Sequence, residues 1–265
     1  MMHARRSAVV LVALPVLLVS VSGCDLATAH FRSEESAEWR KTYDLPAGGR
    51  VEVRNVNGRI EVQPSSGRTV EVVAVKTGRG ATADAAREAL GKIEIVENVG
   101  ADIIRLETKL PRGSGFMHSG GGEVRYMVKV PASAVTEVIT VNGGVEVTGL
   151  SGRVRAETTN GGIVGRDMSG SLEATTTNGG IDVDMARVAE GGVRLECTNG
   201  AIKVRLPGDA HATISASVAN GGIDTGGLPL ETTESSRRRL EARLNGGGPS
   251  VRLEGTNGGI HLTRR

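Results

Sequence analysis

The stretch GGIDVDM, residues 179–185, holds two carboxylates two places apart, Asp182 and Asp184. On an extended strand that spacing puts both on one face. Acid–base cleavage of a glycan needs such a pair converging on one surface. The chain repeats this unit, however, and the outward position of its copies reads Glu61, Glu146, Val164, Asp182, Lys203, Asp224 and His261. Sign and type change from copy to copy, as on a solvated face, so no catalytic residue is expected and the chain reads as not an enzyme. The histidines, His3, His30, His118, His211 and His261, show no ligand spacing, and with Cys24 and Cys197 as the two cysteines a zinc site is unsupported. No cofactor is expected. Cys197 reads as a small buried filler. Arg237, Arg238 and Arg239, inside LETTESSRRRLEAR, read as a contact for an anionic partner, a phospholipid headgroup or an acidic glycan, against the plainer reading of a charged loop paired with Glu231 and Glu234.

The elements that must position these residues follow from composition and pattern. The chain has 265 residues and a formal net charge of +2, with 23% charged residues of both signs. That balance gives no nucleic-acid footprint. Aromatics are 2% and glycine numbers 38. A core must then be built from Val, Ile, Leu and Ala, which suits a narrow interior.

Asn-Gly recurs, with its asparagine at 142, 160, 178, 199, 220, 245 and 257, at intervals of 18, 18, 21, 21, 25 and 12, and a looser copy stands at Asn57. A period near 20 is the mark of a solenoid. Before the turns, Val154, Ala156 and Thr158 share one face, as do Leu172, Ala174 and Thr176, and Val193, Leu195 and Cys197. After them, Ile163, Ile181, Ile202, Ile223 and Ile260 form a column. Such alternation indicates half-buried strands. The fold class is all-β, a parallel β-solenoid with coils of about 20 residues and one short helix near 82–91, which Thr82 can cap. The alternative is an antiparallel meander or sandwich, because Asn-Gly is also a hairpin signal. Asn-Gly is expected to supply positive-φ corners, with the asparagine amides stacking as a ladder.

At the N-terminus, Arg5 and Arg6 precede an apolar run and then VSGC, residues 21–24. This is a secretory signal pattern, and VSGC resembles the lipobox of bacterial lipoproteins. The resemblance implies a signal peptide at 1–23, lipid on Cys24, and attachment to the membrane through it. Residues 24–44 read as a flexible tether, and 45–265 as the folded domain, most regular over 135–265. The units Asn57-Gly58-Arg59-Ile60-Glu61-Val62, Val130-Pro131 and the copies from Asn142 to Ile260 resemble a bacterial family of exported proteins grouped as adhesin domains, of otherwise undefined function. The resemblance implies a non-enzymatic adhesion, binding or scaffold module in the cell envelope, with an envelope protein or a glycan as partner. The alternatives are an envelope-stress or signalling component that binds a partner protein, and a polysaccharide-active β-helix enzyme.

Overall fold

The computed structural model describes residues 33–110 and 121–265. Cys24, the signal segment, His3, His30 and His118 lie outside the described residues. The chain winds as a β-solenoid. Each coil lays one strand in a first sheet, turns at an Asn-Gly corner and lays a second strand in the facing sheet. The segments are β1 (Ser33–Asp44), β2 (Arg50–Arg54), β3 (Ile60–Ser65), β4 (Thr69–Gly80), α1 (Ala83–Gly91), β5 (Glu94–Val99), β6 (Ile103–Lys109) and β7 (Gly121–Pro131). The regular coils follow: β8 (Val135–Asn142) with β9 (Val145–Thr148), β10 (Val154–Asn160) with β11 (Ile163–Met168), β12 (Leu172–Asn178) with β13 (Ile181–Met185), and β14 (Val193–Asn199) with β15 (Ile202–Leu206). The last segments are β16 (Ala212–Asn220), β17 (Ile223–Asp224), β18 (Leu230–Ser235), β19 (Arg239–Leu244), β20 (Ser250–Asn257) and β21 (Ile260–Arg264).

The first sheet has eleven strands in the order β18-β19-β16-β20-β14-β12-β10-β8-β2-β6-β5, and the second has ten, β1-β4-β7-β3-β9-β11-β13-β15-β21-β17. The middle strands are parallel and in register, for example Ala156↔Ala174 and Ile163↔Ile181. The meander alternative therefore fails. Antiparallel pairing is confined to the ends, in β1–β4–β7, β5–β6 and β16–β19–β18. These strands shield parallel edges that would otherwise recruit another chain.

At both ends the coils leave sequence order. The coil β2–β3 lies between β6–β7 and β8–β9, and the C-terminal coil β20–β21 slots between β14–β15 and β16–β17. The stack of inward isoleucine and valine side chains accordingly runs Val145, Ile163, Ile181, Ile202, Ile260, Ile223. Val154, Ala156, Leu195, Ile181 and Val204 are buried, and Thr158 and Thr176 join them at the corners. Small β-branched and methyl side chains fill the space because like stacks on like at each level.

Three expectations are corrected. Residues 33–44 of the expected tether form β1, paired over its whole length with β4. Its polar sequence reflects an edge strand with one solvated face, while Trp39 and Tyr43 on the other pack against the core. Asn245 is not a coil corner: it sits at φ 50 just past β19, and its side chain donates to Gly208 O and Ala210 O. Nor are the corners uniformly left-handed. Gly179, Gly200, Gly221 and Gly258 have φ of 144–154°, yet Gly143, Gly161 and the ladder asparagines are not among the positive-φ residues. What all the corners share is contact: a Cβ on Gly161 would stand 2.1 Å from Gly143 O, and one on Gly179 would stand 2.2 Å from Gly161 O. Helix α1 forms as expected, with the Thr82 hydroxyl accepting from Ala85 N at 3.2 Å. It lies close on β4, where Gly78 leaves room for Leu90.

Candidate functional site

The corner asparagines form one continuous ladder. The Nδ2 of Asn142 donates to Asn57 Oδ1 at 2.8 Å, Asn160 to Asn142 at 2.8 Å, and Asn178 to Asn160 at 2.9 Å. Asn199 then donates to Asn178 at 3.0 Å, Asn257 to Asn199 at 2.9 Å, and Asn220 to Asn257 at 2.9 Å. The strand register sets the chain of amides, since Asn142↔Asn160↔Asn178↔Asn199↔Asn257↔Asn220 are direct neighbours. Just inside it, the hydroxyls of Thr158 and Thr176 donate to Gly143 O and Gly161 O at 2.8 Å, and Cys197 Sγ donates to Gly179 O at 3.1 Å. Burial pushes the Cys197 thiol above its ordinary pKa, which keeps it in the unreactive form. The ladder satisfies polar groups from corner to corner as far as its last member, Asn220.

The candidate acids are matched by arginines. Arg166 Nη1 contacts Asp182 at 3.3 Å, and Arg205 donates to the same carboxylate. Arg265 reaches Asp184 at 3.1 Å and also pairs with Asp167. Asp182 and Asp184 thus lie in an alternating-charge cluster rather than facing each other across an open cleft. Of the histidines, His211 bonds Asn245 O at 2.6 Å and His261 stands 3.7 Å from Asp224. Among the described residues no group of three or more His, Cys, Asp or Glu side chains could hold a metal ion.

The three arginines separate. Arg239 pairs with Glu234 at 3.3 Å. Arg238 Nη1 donates to Ala219 O at 3.2 Å. Arg237 and Arg238 line a shallow concavity of about 270 Å³ with Ala219, Asn220 and Gly221. Among the described residues neither of them is in ion-pair contact with a carboxylate, so the plainer reading holds for Arg239 and not for its neighbours.

Sequence reasoning missed two features. Glu52 is buried on the outward side of β2, with Arg105 Nε at 2.6 Å and Arg50 and Arg54 alongside at 3.6 and 4.0 Å. The Arg105 hydrogen bond holds its carboxyl below the usual range. The signal was the alternation Arg50-Val51-Glu52-Val53-Arg54. The second is a charged stripe on the first sheet. Nε of Arg155, Arg194 and Arg252 donates to Glu157, Glu196 and Glu254 at 2.7, 2.6 and 2.5 Å. Arg153, Glu173, Arg194 and Arg252 border an open cleft of about 530 Å³ there. The recurring Arg-x-Glu was visible in the sequence, but its stacking depends on β20 lying beside β14.

Residues 49–263, most of the chain, match one family. The chain belongs to the Toastrack DUF4097 family. The resemblance carried by the Asn-Gly units is thereby borne out. No curated protein matches the sequence. Among solved structures, this Toastrack chain is similar to a "putative cell adhesion protein" from Clostridium sporogenes, at 15% identity and a TM-score of 0.48, over 87% of this chain and 100% of that one. It is also similar to a "putative adhesin" from Bacteroides fragilis, at 8% identity and a TM-score of 0.32, over 86% and 97%. A "putative lipid binding protein" from Parabacteroides distasonis follows at 9% and 0.24, over 86% and 97%.

Proposed function

We propose that this chain is a lipid-anchored module of the bacterial cell envelope that binds a partner and does not catalyse. One observation carries the binding reading. The acids best placed for chemistry, Asp182, Asp184 and Glu52, are each engaged by arginine. Each of these carboxylates is taken up in an ion pair, and none faces a second acid across a cleft as glycan cleavage requires. What remains is a rigid array with two long, charge-mixed faces, an arrangement suited to recognition along an extended surface. The anchor is the lipid expected on Cys24, because stable attachment needs more than one acyl chain. Among the described residues no helix is long and apolar enough to cross a membrane.

Cell fractionation of the full chain tests the anchor: the wild type is expected in the membrane fraction, and Cys24→Ala is expected soluble outside the cytoplasm. Unchanged membrane retention of the variant would overturn it. Capture of envelope proteins by the full chain, alongside a glycan array, tests the partner class, and glycan shortening during incubation would favour the polysaccharide-active reading instead. A protein captured specifically, with no glycan bound, would favour the envelope-stress or signalling reading. The concavity at Arg237 and Arg238 favours an anionic contact, with Arg239 beside it. Replacing the three arginines by alanine is expected to lower retention of the full chain on phosphatidylglycerol vesicles relative to phosphatidylcholine vesicles. Equal retention before and after would remove that contact.

A further inference from the structure

The two ends of the asparagine ladder differ. At one end Asn57 donates to Gly122 O at 3.0 Å, and Gly58 N donates to Asn142 O at 2.8 Å. The pattern continues through the array. The nitrogens of Gly143, Gly161, Gly179, Gly200 and Gly258 donate to the asparagine carbonyl of the adjacent coil at 2.8–3.0 Å. At the other end this stops. Asn220 donates to Asn257, but among the described residues its Oδ1 accepts from nothing and Gly221 N donates to nothing. The cause is topological. β16 is the last strand of the parallel run, and past Ser217↔Arg239 its outer neighbour offers acceptors only on either side of the corner, Arg238 O to Val218 N and Arg237 O to Ile223 N, and none to Gly221 N.

Asn-Gly is chemically labile because the glycine that follows has no Cβ to hinder its nitrogen from approaching the asparagine side chain. A hydrogen bond on that nitrogen holds its proton and fixes its direction, and it must break before attack. We propose that Asn220 is a site of spontaneous amide-to-acid conversion, and that the ladder protects the other six corners. Base removes the proton from Gly221 N, and the nitrogen attacks Cγ of Asn220. The N–Cγ bond forms, the Cγ–Nδ2 bond breaks, and ammonia leaves with a proton from solvent. Water then opens the resulting succinimide at either carbonyl, giving aspartate or isoaspartate with no change of oxidation state. The new carboxylate lies in the concavity lined by Arg237 and Arg238, whose charge stabilises it. The isoaspartate product adds a backbone atom to a corner whose geometry is set by close contact with Gly258 O, so it loosens the terminal coil β16–β17 and not the rest of the array.

The test uses the full chain, kept folded in mildly alkaline buffer and followed by peptide mapping with mass spectrometry. Asn220 is expected to convert about tenfold faster than Asn160, Asn178 or Asn257, the rate equivalent of one hydrogen bond that need not be broken. In denaturant Asn142, Asn160, Asn178, Asn220 and Asn257 are expected to convert at similar rates, because all five share the sequence Asn-Gly-Gly. Equal rates in the folded chain would overturn the proposal. So would a preference for Asn220 that persists in denaturant, since local sequence and not the open end would then be its cause.

Discussion

The two ends of this solenoid close in different ways, and the contrast separates what the repeat determines from what it does not. The N-terminal end is covered on both sheets, by β1 and β4 over β7 and by β5 over β6, with α1 packed on β4. It holds Tyr43, Tyr126 and Trp39, and its ladder terminates on a backbone carbonyl. At the C-terminal end the hairpin β18–β19 covers the first sheet, but the second sheet ends at the two-residue β17. There Ile223 is only partly buried and the ladder ends unpaired. A repeat needs neighbours on both sides, so its sequence specifies the middle and leaves the ends to separate devices.

The contrast breaks most sharply if a charge is placed in the interior. Ile181→Asp puts a carboxylate into a site 1% exposed in the middle of the stack. The expected loss is on the order of 4–5 kcal/mol, enough to unfold the chain. Ile223→Asp, at the open end, should cost far less, because the new carboxylate can reach water. Denaturant unfolding monitored by circular dichroism compares them. Equal losses would mean that the terminal coil is as tightly held as the centre.

Much of the middle was legible in the sequence, for a physical reason. Period-2 alternation with an Asn-Gly every 18–21 residues fixes strand faces and corner positions from Asn142 to Asn199. The ends were not legible. Nothing local says that β20 inserts between β14 and β16, because the inserted coil obeys the same pattern as its neighbours. Asn245-Gly246 reads like the other copies but lies in the connection from β19 to β20, which flank β16 on opposite sides, because the dipeptide suits any tight turn that needs positive φ. β1 was obscured because an edge strand shows solvent one full face, and its buried side carries Trp39 and Tyr43 rather than a Val/Ile column. Of the candidate site, Asp182 and Asp184 were legible as surface residues. Their neutralisation by Arg166, Arg205 and Arg265 was not, since Arg265 meets Asp184 only through the displaced C-terminal coil.

Corner glycines give the next largest effect. Ala at Gly161, Gly179 or Gly200 would place Cβ 2.1, 2.2 or 2.1 Å from the carbonyl oxygen of the previous coil. Each substitution should cost about 1–3 kcal/mol, and the three should agree to within the smaller left-handed penalty, about 1 kcal/mol, that Gly179 and Gly200 add and Gly161 does not, because the shared cause is the backbone contact. Gly246, at φ 82 with nothing within 4 Å of a Cβ, should lose only the smaller left-handed penalty, about 1 kcal/mol. Thermal melts of the four variants decide between contact and φ as the origin of the cost. Corner values that track φ by more than that penalty would refute the contact account.

The N-terminal cap should have a pH limit that the C-terminal end lacks. Tyr126 is buried, its hydroxyl 2.7 Å from Thr108 Oγ1, and burial pushes its pKa from 10.0 up to about 12. The neutral phenol is favoured in the folded state. Its contribution is therefore fully present below pH 10 and is lost as pH rises toward about 12. Stability of the wild type should fall across that window more steeply than that of Tyr126→Phe, which loses the hydrogen bond but has nothing to titrate. Parallel slopes for the two proteins would show that the cap does not exclude the phenolate.

The smallest effect concerns Cys197, where the column of corner hydroxyls is interrupted. Thr158 and Thr176 occupy the equivalent level of the two preceding coils, buried, each donating to a glycine carbonyl at 2.8 Å. Cys197 donates to Gly179 O through sulfur at 3.1 Å, a weaker bond. Beyond it the level continues as Gly255 and Val218, which carry no side-chain donor. Thr has a similar volume, keeps a methyl for the core and offers a stronger donor, so Cys197→Thr should be neutral or stabilising by up to about 1 kcal/mol. Cys197→Ser lacks the methyl and should be destabilising by a comparable amount. The difference between the two melts isolates the methyl from the hydroxyl. If Cys197→Thr were clearly destabilising, the coil at 197 would differ in shape from those at 158 and 176, and the regularity of the middle would end one coil earlier than the strand register implies.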